Sequence, residues 1–208
     1  MERDLTTGSG RPRDAEASPA LLAAARRLVL EKGYAATSIS DIAAAAGTGR
    51  QTLYRRWPGK AQLILDAFAE HASDQVDDLH AAAPGPDPVR EFLRRTFRAL
   101  DETGPALRSL MAQAQLDPAF CELFRLRFIV PRRAALHAVL AQARDSGSVP
   151  AELDLDAAVA ALFGALWYRL LLGEPLDDGY AAALAGLIRA EAGDTHGAPA
   201  TGRRGRVS

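Results

Sequence analysis

Between Thr37 and Lys60 the sequence reads TSISDIAAAAGTGRQTLYRRWPGK, and its second half sets Arg50, Gln51, Tyr54 and Arg55 along one face of a short helix. Guanidinium, carboxamide and phenol groups in such an array suit nucleic acid. Arginine can pair bidentately with guanine and glutamine with adenine, while hydroxyls and cations hold phosphates. Arg50 and Gln51 stand in the first turn, where a docked recognition helix meets base edges, and are the expected base-reading pair. Arg56 fits either a contact or the core.

Two short helices and a tight turn must position that face. Ile39, Ile42 and Ala43 give the first helix an inward stripe, Gly47 stops it where a positive φ is needed, and Leu53 with Trp57 gives the second an inward pair. That is the pattern of a helix-turn-helix. Upstream, Ser18-Pro19 supplies an N-cap and a first-turn proline for a bracing helix. Its apolar stripe, Leu21, Leu22, Ala25, Leu28 and Val29, runs to Lys32-Gly33, with Tyr34 closing its end. Downstream of Pro58-Gly59 a long amphipathic helix is expected over about residues 60–83, with Leu63, Ile64, Ala67, Phe68 and Leu79 inward, as a lever between this head and the rest. His71, Asp74, Asp77, Asp78 and His80 on that helix read as a solvated acidic face; positions 71 and 80 fall on opposite sides, so no metal site is assigned.

The ordered run Gly33-Tyr34, Thr37-Ser38, Asp41-Ile42-Ala43, Ala46-Gly47, Leu53-Tyr54, Trp57-Pro58 and Lys60 resembles the TetR-like bacterial transcription regulators over roughly forty residues. The resemblance implies an all-α protein of about nine helices: a three-helix DNA-binding head followed by a helical ligand-binding and dimerisation domain. It also assigns Thr37, Thr52, Tyr54, Arg55 and Lys60 to positions that hold the DNA phosphate backbone. Two positions depart from the family pattern. Gly49 stands where a small polar cap is usual, leaving backbone N–H groups but no hydroxyl, and Gln51 stands where glycine is frequent.

With 208 residues and 48% hydrophobic content the chain can bury a substantial core. Net charge is -1 overall, yet residues 18–60 carry seven Lys or Arg against Glu31 and Asp41, whereas residues 61–208 carry fifteen basic against twenty acidic side chains. A basic head and an acidic remainder suit one small module that meets phosphates. Cys121 is alone, no signal-like or membrane-spanning stretch is read, and a reducing cytoplasm is the expected setting. Nucleophile elbow, P-loop, dinucleotide turn, HExxH and paired-cysteine patterns are all missing, so neither enzymatic activity nor a cofactor is assigned.

The expected organisation is an unstructured arm at 1–16, the head at 17–62, the helical domain at 63–192 and a polar tail at 193–208. Past PGPDP at 84–88, roughly five helices follow, punctuated at Thr103-Gly104-Pro105, Asp117-Pro118, Ser146-Gly147, Val149-Pro150 and Gly173-Glu174-Pro175; Pro131 must kink or restart its helix. A small, largely hydrophobic effector is expected in a cavity lined by Phe92, Phe97, Leu110, Met111, Phe124, Phe128 and Tyr168, with Arg94, Arg98 or Arg108 as polar anchors. By resemblance, the last two long helices pair across a homodimer in a four-helix bundle through Leu162, Phe163, Leu166, Trp167, Leu170, Leu184, Leu187 and Ile188. One recognition helix binds weakly, so the expected target is double-stranded DNA carrying a near-palindromic operator.

Overall fold

The computed structural model of the chain describes the backbone of residues 11–81 and 87–189, and the side chains of residues 18–70 and 87–189. Residues 1–10, 82–86 and 190–208 lie outside it, as do the side chains of His71, Asp74, Asp77, Asp78, Leu79 and His80. Among the described residues every regular element is helical: α1 (Arg11–Ala36), α2 (Ile39–Ala45), α3 (Arg50–Arg56), α4 (Lys60–Ala81), α5 (Pro88–Leu116), α6 (Pro118–Phe124), a π turn (Arg125–Ile129), α7 (Val130–Asp145), α8 (Leu155–Leu172) and α9 (Asp178–Ile188).

Aspartates set most of the later starts. Asp87, Asp117, Asp154 and Asp177 each accept a hydrogen bond from a backbone N–H of the first turn, with Pro88 and Pro118 opening α5 and α6. Gly173, at φ 71°, ends α8 in the left-handed conformation.

Three proline expectations need correction or completion. Helix α1 already begins at Arg11, so residues 11–16 are helical rather than an arm, and Pro19 sits inside the helix with its ring exposed. Packing of Leu21, Ala24 and Ala25 holds the chain helical past its missing N–H. The break expected at Thr103-Gly104-Pro105 does not occur, because α5 runs straight through. Gly104 lies against α8, where an added Cβ would come within 3.1 Å of Leu170 Cδ1, and buried Leu107 and Leu110 carry the helix over exposed Pro105. At Pro131 the helix restarts. The π turn, in which Val130 N–H donates to Arg125 O, widens the backbone by one residue just where the proline ring would strike the preceding turn.

Two apolar clusters form the core. One runs unbroken from Leu21, Ile42 and Leu53 in the head, through Leu63, Ile64, Leu65 and Phe68 of α4, to Leu110, Phe120, Phe124 and Phe128. The other joins Phe92 and Phe97 of α5 to α7, α8 and α9 through Leu136, Leu140, Leu162, Phe163, Leu166 and Leu184. The seven residues expected to line one cavity are therefore divided between the two clusters and the surface. Phe92 and Phe97 belong to the second cluster, Leu110, Met111, Phe124 and Phe128 to the first, and Tyr168 is 64% exposed. Aromatics at helical spacing look alike whether they fill a core or line a void. Of the expected anchors, Arg94 is paired with Glu91, Arg108 donates to Leu170 O, and Arg98 is exposed.

The expected dimer residues need the same revision. Leu162, Phe163, Leu166, Leu170 and Leu184 are buried within the chain, Trp167 and Ile188 are half-buried, and only Leu187 stands out, at 79% exposure. The outward apolar face of these helices is instead Ala160, Ala161, Gly164, Tyr168, Leu171 and Leu172 on α8, with Ala183, Gly186 and Leu187 on α9. Helix α8 is long and apolar enough to cross a membrane by length and composition alone. Its inner face is packed in the second cluster, as in the core helix of a globular fold. Being apolar all round, it gave periodicity no means of telling the inner face from the outer.

At the start of α5, Glu91 accepts from Arg94 at 2.6 and 2.7 Å and from Arg95 at 2.5 Å, and these guanidiniums, Arg94 first, hold its carboxyl down to about 2 from an ordinary 4.5. A carboxylate lowered in the folded state contributes stability that is complete above the unfolded value and is lost as pH falls from 4.5 towards 2. Urea titrations should therefore show Glu91→Gln less stable than the parent at pH 7, with the gap narrowing at pH 3. A gap of equal size at both pH values would contradict the ion-pair account.

Candidate nucleic-acid interface

Helices α2 and α3 have only seven residues each, too short to persist alone, so their surroundings must hold them. A capping box fixes the start of α2: Ser38 Oγ accepts from Asp41 N–H at 3.1 Å, and Asp41 Oδ2 accepts from Ser38 N–H at 3.2 Å. Lys32 Nζ donates to the same carboxylate at 2.7 Å, and chiefly through this bond the Asp41 carboxyl is lowered. Gly47, at φ 63°, makes the turn, and Gly49 caps α3 without a side-chain bond.

Helix α3 is fastened at its inner face and its far end. Leu53 is fully buried, and Trp57 is buried with its indole Nε1–H donating to Asp66 Oδ2 at 2.9 Å. The other oxygen of Asp66 accepts from Arg127 Nη1 of the π turn. One α4 carboxylate thus ties the end of α3 to the helical domain. What remains outward is Arg50, Gln51, Tyr54 at 54% exposure, Arg55 and Arg56, with Thr52 half-buried. Three guanidiniums, a carboxamide and a phenol along two turns form a basic, hydrogen-bonding ridge of the kind that enters a major groove.

Thr37 and Lys60 do not join that ridge. Thr37 is 1% exposed, and its hydroxyl donates to Gly33 O at 2.8 Å and to Leu28 O at 3.3 Å. Lys60 Nζ donates to Tyr34 O at 2.9 Å and Thr37 O at 3.0 Å, and lies 4.0 Å from the centre of the Tyr34 ring; burial pushes its pKa down. Gly33, at φ 79°, breaks α1 here, leaving carbonyls that the ammonium satisfies at the negative end of the helix. The cation and hydroxyl expected on phosphates are spent inside the head.

Sequence reasoning also missed the residues that link the head to the helical domain. Tyr34 N–H donates to Ser109 Oγ of α5 at 3.2 Å, Arg26 Nη1 to Glu102 Oε1 at 3.3 Å, and Asp66 meets Arg127 sixty-one positions away. A lone aspartate in the apolar run Leu63-Ile64-Leu65-Asp66-Ala67-Phe68 was the one local signal. Its partners lie beyond any periodicity.

Comparison with known proteins agrees with this arrangement. The family model described as "Bacterial regulatory proteins, tetR family" matches residues 21–67, and that described as "Tetracyclin repressor-like, C-terminal domain" matches residues 87–188. The uncharacterized HTH-type transcriptional regulator YdeS of Bacillus subtilis is 31% identical over 172 residues, 82% of this chain and 87% of that protein. A protein of Mycobacteroides abscessus named as the DNA-binding transcriptional repressor TetR is 31% identical over 166 residues, 78% of this chain and 86% of its own. Among solved structures, the TetR family transcription regulator SCO0332 superposes with a TM-score of 0.65 at 30% identity, over 82% of this chain and 94% of that one.

Lys60→Met keeps the aliphatic stem and removes the ammonium. Because hydrogen bonds from a charged donor contribute about 1.5–3 kcal/mol, urea unfolding should show a loss of that order while the salt dependence of DNA binding stays as in the parent. Unchanged stability with a salt slope reduced by about one would return Lys60 to the phosphates.

Proposed function

The chain belongs to the TetR family of bacterial transcriptional regulators, and from that premise we propose that it is a homodimeric repressor of nearby genes, released from a near-palindromic operator by a small effector. The observation that carries the proposal is the outward ridge of α3, held from behind by Leu53 and Trp57. In this reading Arg50 and Gln51 read base edges, while Thr52, Tyr54 and Arg55 hold phosphates on either side of the groove. The family's role is transcriptional regulation, not catalysis, and a DNA-binding regulator acts in the cytoplasm, where the DNA is. Repression is favoured by the relative whose name states it.

The uncovered outer face of α8 and α9 supports the homodimer. Tyr168, Leu171, Leu172 and Leu187 are large, apolar and exposed, and Ala161, Ala183 and Gly186 beside them allow close approach of another helix pair. A second copy covers this face best, since two-fold pairing of the same patch also sets two recognition helices at fixed spacing. The Trp57–Asp66–Arg127 bridge supports effector control: the π turn belongs to the helical domain, and its displacement moves a carboxylate that anchors α3. An effector needs about 10⁴-fold differential affinity to shift the binding-competent fraction from 99:1 to 1:99.

Fluorescence anisotropy with DNA from the chain's own upstream region, across a salt series, tests the DNA arm. The parent should bind two chains per site with steep salt dependence, and Arg50→Ala should lose discrimination between operator and unrelated DNA, worth about 1–3 kcal/mol per base contact. Equal binding of both DNAs by the parent would refute base readout. Sedimentation tests the dimer arm: Leu187→Glu should shift the protein towards monomer and weaken operator binding with it, whereas a dimer as tight as the parent's would move the interface elsewhere.

A further inference from the structure

Taking the effector-responsive reading as its footing, we infer that the cavity between the π turn, α7 and α8 is a binding site for a small apolar monocarboxylate, whose charge is met by Arg132. The cavity holds about 180 Å³, with Ile129, Arg132 and Arg133 on one wall and Phe163, Gly164 and Trp167 on the other. Ala160 and Gly164, one turn apart on α8, leave the space open, and the Phe163 and Trp167 rings, stacked at 6.4 Å, give it an apolar side.

The charge is one-sided. Arg132 Nη1 donates to Phe128 O at 2.8 Å and its Cζ lies 3.2 Å from the centre of the Phe128 ring, yet no carboxylate among the described residues pairs with it. Burial alone pushes its guanidinium down to about 9. Arg133 reaches Asp156 only at 4.0 Å. A half-buried guanidinium without a countercharge, beside an apolar space, fits a ligand that brings an anion and an apolar body together. A single uncompensated charge calls for a monoanion. Pockets for drug-sized molecules span roughly 300–1,000 Å³, so the occupant here is one ring or a short chain. The position is apt for control. Ile129 belongs to the π turn that also carries Arg127, the partner of Asp66, and Gly164 borders the outer face of α8.

The test is calorimetric titration of the full chain with benzoate, phenylacetate and hexanoate, each beside its uncharged amide. At least one acid should bind at least ten-fold tighter than its amide. Arg132→Met should erase that preference, Arg132→Lys should restore part of it, and Trp167→Phe should remove the accompanying fluorescence change while the heat remains. Acid and amide binding equally, or none of the three acids binding at millimolar concentration, overturns the site, and that comparison needs no variant to fold. Release of operator DNA is scored separately. An acid that binds through Arg132 without releasing DNA upholds the site and removes the effector reading, whereas release that is indifferent to Arg132→Met overturns the site and leaves that reading standing.

Discussion

A seven-residue helix cannot hold itself in water, and everything proposed for this chain depends on what holds α3. Leu53 supplies the apolar contact, but orientation comes from Trp57, whose indole N–H is accepted by a carboxylate already engaged by Arg127. Asp66 therefore faces two ways: towards the end of the reading helix and towards the π turn. Because the same core cluster surrounds both, the head has no independent seat and its attitude follows the helical domain.

The turn between α1 and α2 shows the same economy of polar groups. Gly33 interrupts α1, and the exposed backbone ends are closed by the Thr37 hydroxyl, the Lys60 ammonium and the Ser109 hydroxyl, which come from three different elements. A cation beside the carboxyl end of a helix gains from both the carbonyls and the dipole. The ridge of α3, by contrast, turns Arg50, Gln51 and Tyr54 outward, where an outside partner can reach them. Burial and hydrogen bonding thus divide residues of like chemistry into those that build the head and those that can read DNA.

Local chemistry was the legible part of the sequence. The helix-turn-helix, its inward Ile42, Leu53 and Trp57, the aspartate-proline starts of α5 and α6 and the glycine end of α8 all rest on contacts within a few residues. Where the reading failed, the deciding contact was distant. Thr37 and Lys60 have the composition of phosphate ligands and are spent on carbonyls that only the folded turn brings near. Phe92 and Phe128 look like one lining and fall into separate clusters, while α8 is so uniformly apolar that its stripe could not say which side meets the core. Packing carries α5 straight past Pro105, where a break is expected, whereas at Pro131 the helix restarts as expected, over a π turn that no local signal announces.

The central claim is that the reading helix and the helical domain are joined through Asp66. A double-mutant cycle on operator affinity tests it most directly, pairing Trp57→Phe, which keeps the ring and removes the donor, with Arg127→Ala. The account predicts a coupling energy above about 0.5 kcal/mol between two residues bonded to one carboxylate. Effects that add to within about 0.3 kcal/mol would mean that the two bonds act independently, and that movement of the π turn does not reach α3 by this route.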